Sequence, residues 1–257
     1  MRLRIQFQVN RVPIGYRNAF MSYLKETLKA TQSGKQRFSL LFYYDENHHN
    51  KKSKSYCFAV RFIPDKNRLS KGKEWLYPLT PISLYFSTID LGLLTDIYNG
   101  AIQKIIYPFD YQQGMMVLHY PKNITLLKDK PIYESPIHFR TLSPILIENN
   151  QGKPHIPNHD FQTFLKELNY QTNLMLSDVR GKGLIQNLQF QPINLRKEVV
   201  KHTIRERNEI PKLYTFTCFS GDFMLYGDPL DLEDIQKLGL GLRRGQGFGM
   251  LEVVGSG

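Results

Sequence analysis

The chain has 257 residues, of which 41% are hydrophobic, and its formal net charge is +11 at pH 7. It is long enough to bury a substantial core in one large domain or two small ones. Its two cysteines, Cys57 and Cys218, form neither a CxxC pair nor a Cys/His zinc spacing, which excludes a disulfide framework and a zinc finger. The sequence shows no signal peptide and no membrane-spanning apolar run. We therefore expect a soluble cytoplasmic protein with two buried thiols and with no metal or cofactor.

The positive charge is concentrated in the first part of the chain. Residues 1–140 carry 21 Lys and Arg against 10 Asp and Glu, whereas residues 141–257 carry 13 of each kind. Such one-sided charge indicates an anionic partner. Basic residues that merely cover solvated loops would give the same count, and composition leaves both interpretations open.

The hydrophobic pattern of residues 1–134 predicts one α+β domain. It begins with an alternating strand and an amphipathic helix with apolar residues at helical spacing. Aromatic-rich strands follow on either side of a polar loop, and the domain continues with a further strand, a second helix and two more strands. The predicted strands are 3–9, 38–44, 56–63, 82–87, 115–119 and 124–127, and the predicted helices are 16–30 and 91–104.

Residues 138–257 repeat this order after a linker bracketed by Pro131 and Pro136. The pattern predicts a strand at 142–148, a helix at 160–176, a long hairpin across 184–226, a helix at 229–237 and a closing strand at 250–254. Strand-helix-strand-strand-helix-strand, twice over, predicts two tandem ferredoxin-like (RRM-like) domains, with antiparallel sheets and helices on one face.

A glycine-rich segment precedes the closing strand. Five glycines and two arginines lie among eleven residues, in the order Gly239-Leu240-Gly241-Leu242-Arg243-Arg244-Gly245-Gln246-Gly247-Phe248-Gly249. Glycine lets a backbone approach a ligand closely, and arginine forks suit phosphate. No lysine follows the glycines as in a Walker loop. The segment indicates either a backbone cradle for a polyanion or a turn into the closing strand.

A polar loop between the two aromatic segments contains the pair His48-His49, followed by Lys51, Lys52 and Lys54. Histidine titrates near neutrality and can act as a general base or acid, and lysine can stabilise phosphate charge. These groups suffice for RNA cleavage by the neighbouring 2′-hydroxyl without a metal. A solvated loop tip is the alternative that the residues leave open.

The glycine segment closely resembles that of the repeat-RNA-cleaving endoribonucleases of CRISPR systems, which belong to the RAMP superfamily. The shared pattern is Gly-hydrophobic-Gly, five residues, then Gly-Phe-Gly, and the likeness extends to residues 141–147 and 223–230. The resemblance implies the same duplicated fold. It also implies a site formed by Tyr23 on the first helix, His48 as general base or acid, and Lys54 six residues later, with His49 as an adjacent partner.

Basic clusters and the glycine segment together form the expected RNA-binding surface. In the resembled family the glycine loop lies near the cleft between the domains and helps to bind repeat RNA. The expected RNA-binding residues are Lys51, Lys52, Arg196, Lys197, Lys201, Arg205, Arg207, Gly239, Gly241, Arg243, Arg244, Gly247, Phe248 and Gly249.

The sequence thus predicts a metal-independent endoribonuclease that binds CRISPR repeat RNA and cleaves precursor crRNA. The alternative is a non-catalytic RNA-binding subunit of a CRISPR effector complex, with the other subunits of that complex as partners. Monomer and homodimer both remain open.

Overall fold

The computed structural model describes residues 1–42, 53–68, 75–104, 106–111, 114–119, 121–204 and 212–256. The strands are β1 (Arg2–Phe7), β2 (Val12–Pro13), β3 (Tyr56–Arg61), β4 (Trp75–Leu76), β5 (Ile82–Thr88), β6 (Ile106–Tyr111), β7 (Gly114–His119), β8 (Asn123–Leu127), β9 (Ile137–Thr141), β10 (Gln189–Ile204), β11 (Lys212–Tyr226) and β12 (Leu251–Ser256). The helices are α1 (Tyr16–Lys29), α2 (Gln32–Phe42), α3 (Leu91–Gln103), α4 (Phe161–Arg180) and α5 (Pro229–Leu238).

The first four-stranded sheet has the antiparallel order β3-β5-β1-β8. Alternate residues of β1, such as Ile5 and Phe7, enter one core with the apolar stripe of α1 and with α3. The helix α3 begins where the Asp90 carboxylate accepts the Leu93 N–H at 3.0 Å, a stabilising N-cap. Two short pairs, β2-β4 and β6-β7, lie outside this sheet.

The second sheet repeats the arrangement with the order β10-β11-β9-β12. Its core joins α4 and α5 to the sheet through packed aromatic rings, among them Phe190 and Phe223, whose centroids are 4.6 Å apart. Both sheets therefore show the strand order of a ferredoxin-like domain, and the predicted tandem fold is confirmed. The boundary between residues 134 and 138 stays a prediction.

The strand predicted at residues 38–44 is wrong over its described part, which forms the second half of α2. The aromatic run favoured a strand, but tertiary contacts favour the helix. Arg37 Nε donates to the buried Asp96 carboxylate of α3 at 2.9 Å. Phe38 and Phe42 lie one helical turn apart with ring centroids at 5.0 Å, a pairing that only a helix allows.

The strand predicted at residues 142–148 is also wrong, because the strand of this region is β9, which ends at Thr141. The apolar run is buried by the glycine-rich segment instead. The Leu142 N–H donates to the Met250 carbonyl at 2.8 Å, and the Gly249 N–H donates to the Pro144 carbonyl at 2.8 Å. These bonds satisfy buried backbone groups without a ladder.

The two cores meet at an interface that is both apolar and hydrogen-bonded. Cys57 of β3 packs against Met250, and Arg2 Nη2 donates to the Leu251 carbonyl at 2.6 Å. Cys57 and Cys218 are buried free thiols, as predicted, and burial raises their pKa values to about 11 and about 12. Among the helices of the described ranges, none is both long and apolar enough to cross a membrane.

Candidate functional site

Four of the five glycines of the glycine-rich segment have a backbone conformation that favours glycine. Gly239, Gly241, Gly247 and Gly249 have φ values of +80°, +79°, +88° and +70°, in the left-handed region. A Cβ at Gly241 would lie 2.4 Å from the Leu146 carbonyl oxygen, and one at Gly249 would lie 2.0 Å from the Leu240 carbonyl oxygen. Neither backbone contact leaves room for a side chain.

Gly245 and Gly247 bring the segment against the first domain. A Cβ at Gly245 would lie 3.2 Å from Lys54 Cγ and 3.3 Å from Tyr56 Oη. The Gly247 carbonyl accepts a hydrogen bond from Arg17 Nε at 3.3 Å. One end of this short loop therefore borders Lys54, and the other borders the start of α1.

Lys54 lies where the C-terminus of α2 meets the beginning of β3. Its Nζ donates to the Leu41 carbonyl and lies 4.9 Å from the centroid of the Phe42 ring. Burial, and secondarily the charge of Lys25, lower the pKa of Lys54. An ammonium carries three N–H donors, so the bond to Leu41 leaves donors for a phosphate oxygen.

The structure does not bring Tyr23 to this surface. Its side chain is 1% exposed, and its ring packs edge-on against Phe7 with centroids 5.1 Å apart. Burial raises the pKa of the phenol. The predicted residues His48, His49, Lys51 and Lys52 lie outside the described residues.

Arg244 and Phe248 of the predicted RNA-binding set are parts of the interior. Arg244 Nη1 donates to the Leu238 carbonyl at 2.8 Å, and burial lowers the pKa of its guanidinium to about 10. Phe248 is 0% exposed, and its ring packs nearly perpendicular to that of His202, with the ring centroids 5.7 Å apart. Arg243 is half-buried, with its guanidinium carbon 4.6 Å from the Phe216 ring centroid.

A cleft of about 600 Å³ opens between the two sheets, beside Gly247. One wall is formed by the start of α1 and by β3, and the other by β9, β10 and β11. Its charged lining comprises Arg17, Arg61, Arg140, Arg196, Glu198 and Asp222. Both carboxylates are already hydrogen-bonded: Glu198 accepts from Ser220 Oγ at 2.6 Å, and Asp222 from Arg140 Nε at 2.8 Å. The lining thus carries four arginines against two carboxylates, with Arg140 paired to Asp222, and its net charge is positive.

Sequence reasoning found only Arg196 among these four arginines. Arg17, Arg61 and Arg140 stand singly in the sequence on three different elements, so no basic run marks them. Lys197 and Lys201 are exposed on β10, but Lys197 points to the opposite face of the strand from Arg196, because neighbouring strand residues alternate. The predicted Arg205 and Arg207 lie outside the described residues.

Comparisons with known proteins identify the fold and match the C-terminal part of the chain to a family. Residues 127–253 match the family model described as CRISPR-associated protein Cas6, C-terminal. A Cas6-related protein from Pyrococcus furiosus has a TM-score of 0.75 at 21% identity, over 99% of this chain and 98% of that one. A RAMP protein described as binding different RNA substrates has a TM-score of 0.75 at 18% identity, over 99% of both chains.

A third solved structure, described as a CRISPR-associated protein Cas6, has a TM-score of 0.65 at 18% identity and covers 99% of both chains. No curated protein sequence matches the chain significantly. At these identities the solved structures show a shared fold, and the family model supplies the sequence relationship over the C-terminal half. By that match, residues 127–253 belong to the Cas6 C-terminal family of CRISPR-associated proteins, and the chain shares the fold of solved Cas6 structures over nearly its full length.

Proposed function

We propose that this chain is a cytoplasmic, metal-independent endoribonuclease that binds CRISPR repeat RNA and cleaves precursor crRNA. The observation that carries the proposal is the close approach of Gly245 to the Lys54 side chain, where a Cβ added to the glycine would lie 3.2 Å from Lys54 Cγ; we propose that this lysine binds phosphate beside the glycine-rich segment. Residues 127–253 match the C-terminal family of the CRISPR-associated protein Cas6, and one structural neighbour is described as a RAMP protein binding different RNA substrates. Both support this assignment.

The chemistry needs few groups. The 2′-oxygen attacks the adjacent phosphorus while a base removes its proton, and the bond from phosphorus to the 5′-oxygen breaks as an acid protonates that oxygen. The products are a 2′,3′-cyclic phosphate and a 5′-hydroxyl. Lys54 stabilises the charge that develops on the phosphate oxygens. His48, with His49 beside it, is the proposed base or acid, and Tyr23 is assigned to packing by its place in the core.

The cleft lies beside the same glycine-rich segment as this site. Gly245 borders Lys54 and Gly247 lines the cleft, and the two glycines are only two residues apart in the chain, at most about 7 Å. The arginines of the cleft can bind phosphates of a strand whose scissile bond lies over Lys54. We propose that RNA follows the cleft past Gly247 to the Lys54 surface.

The first test is incubation of the protein with end-labelled cognate repeat RNA in EDTA. A matched RNA carries a 2′-deoxy substitution at the cleaved position. We expect one discrete cut that disappears with the deoxy substrate. A product with a 3′-hydroxyl and a 5′-phosphate would refute the mechanism. Binding without cutting would favour a non-catalytic subunit of an effector complex, and absence of binding would refute both functions.

The second test assigns the role of Lys54. In the Lys54→Ala variant we expect the single-turnover cleavage rate to fall by about a hundredfold, while the Kd for RNA changes little. The control is Lys35→Ala, which removes the same charge from an exposed position on α2. Equal rates for the two variants would remove Lys54 from the site.

A further inference from the structure

The backbone beside Lys54 is held by the second domain. The Ser53 N–H donates to Asp178 Oδ2 at 2.9 Å, and Asp178 lies in the last turn of α4. Ser53 directly precedes Lys54, so a carboxylate of the second domain holds the backbone amide of the residue before the proposed phosphate-binding lysine. A hydrogen bond to an ionised acceptor is stronger than one between neutral groups.

Asp178 extends from a firmly anchored part of α4. Two residues further on, Arg180 pairs with the fully buried Asp231 of α5 and donates to Asp234 at 2.8 Å. It also donates to the Gly183 carbonyl at 2.7 Å. The end of α4 is thus tied to α5 and to the following loop, and a carboxylate fixed in this way can hold a backbone amide in one position.

The carboxylate is electrostatically unfavourable for an RNA site. The Asp178 carboxylate contacts Ser53, the residue before the lysine proposed to bind phosphate. Its negative charge also favours the charged form of Arg244 in the glycine-rich segment. A charge of this sign repels the phosphates of a bound strand. Because the negative charge of Asp178 is a disadvantage to an RNA-processing site, the hydrogen bond to Ser53 is the contribution by which this residue would benefit such a site.

We propose that Asp178 is a positioning residue that the second domain contributes to the Lys54 site. By accepting the Ser53 N–H, it holds the backbone one residue before Lys54 and thereby positions the Lys54 side chain for the scissile phosphate. The inference rests on the proposed function. It makes the site composite: the Gly245 loop bounds Lys54 on one side, and Asp178 holds the preceding residue on another.

Two substitutions separate the hydrogen bond from the charge. Asp178→Ala removes both, and we expect the single-turnover cleavage rate to fall by about tenfold, as for a positioning bond of moderate strength, while the Kd for RNA stays the same or decreases. Asp178→Asn keeps an acceptor oxygen and removes only the charge, and we expect it to retain most of the wild-type rate. The matched control is Glu167→Ala, a loss of negative charge on the same helix about three turns away.

The experiment measures cleavage rate, Kd and melting temperature for these variants, together with hydrogen exchange of a peptide that contains residues 53–57. We expect faster exchange of this peptide in Asp178→Ala alone. The inference is overturned if Asp178→Ala cleaves like wild type, if Asp178→Asn is impaired equally, or if rate, affinity and melting temperature all fall together. A wild-type protein that does not cleave overturns the proposed function and this inference with it; wild-type cleavage that Asp178→Ala leaves unchanged overturns the inference alone.

Discussion

The Gly249→Ala substitution tests whether the glycine-rich segment is held by backbone contacts. Gly249 combines a φ of +70° with a position at which a Cβ would lie 2.0 Å from the Leu240 carbonyl oxygen. Its own N–H donates to the Pro144 carbonyl at 2.8 Å, and its carbonyl accepts the Leu240 N–H at 2.8 Å. Since the contacting atom is backbone, the methyl group can be accommodated only if the segment moves.

The expected loss of stability follows from these contacts. A left-handed conformation costs a non-glycine residue about 1 kcal/mol or somewhat more, and displacement of the two hydrogen bonds adds about 1 kcal/mol each. The free energy of unfolding should therefore fall by about 3 kcal/mol. For a chain of this size, that change corresponds to a decrease in melting temperature of about 9 °C.

Gly152→Ala provides the matched control. Gly152 has a φ of +74°, but nothing lies within 4 Å of a Cβ added there. This variant should lose only the conformational part, about 1 kcal/mol or about 3 °C. Both variants are compared by thermal melting and by urea unfolding. Equal melting temperatures would refute the argument that the contact with Leu240, rather than the backbone angle, requires glycine at position 249.

Three further predictions concern charge. Arg61→Ala should reduce the slope of log affinity against log salt by about 0.7, the contribution of one contact to a single-stranded phosphate, whereas Lys128→Ala, beyond the opposite edge strand β8, should leave it unchanged. Lys25→Met should raise the pKa of Lys54, because the Lys25 charge helps to lower it, so the high-pH limb of the cleavage rate should move to higher pH; an unmoved limb would contradict this. Burial lowers the pKa of His202 from 6.5 to about 4, and the unfolded chain therefore takes up its proton first as the pH falls. The free energy of unfolding, measured with urea, should decrease as the pH falls from about 6.5 to about 4. The decrease should be smaller in His202→Gln.

The sequence was sufficient for the fold where local periodicity and tertiary packing agree. The apolar residues along one side of α1 and the alternate apolar residues of β1 lie in one core, as their spacing predicts. The prediction failed at residues 38–42 because aromatic content favours a strand, whereas the ion pair between Arg37 and Asp96 joins α2 to α3. A contact across 59 residues leaves no local signal.

The residues of the candidate site likewise include some that the sequence could identify and others that it could not. Lys54 could be found from its place in a basic loop, and the structure sets it against Gly245. Three of the four cleft arginines (Arg17, Arg61 and Arg140) and Asp178 could not be found, because each is defined by neighbours that are distant in sequence. Arg61 donates a hydrogen bond to the Leu142 carbonyl, 81 residues away in the sequence, and Asp178 accepts one from the Ser53 N–H, 125 residues away. Single charged residues of this kind look like ordinary surface residues until the chain is folded.

The glycine-rich segment connects these two levels, because some of its glycines form the turn into the closing strand and others border the proposed RNA site. Gly241 and Gly249 serve the turn into the closing strand, since backbone carbonyls occupy the space of their side chains. The same contacts fix the intervening residues, so that Gly245 reaches Lys54 and Gly247 reaches the cleft. Substitution of Gly249 should therefore lower cleavage as well as stability, because the loop that borders Lys54 moves with it. A Gly249→Ala protein that is less stable but, when folded, cleaves at the wild-type rate would separate the turn from the site.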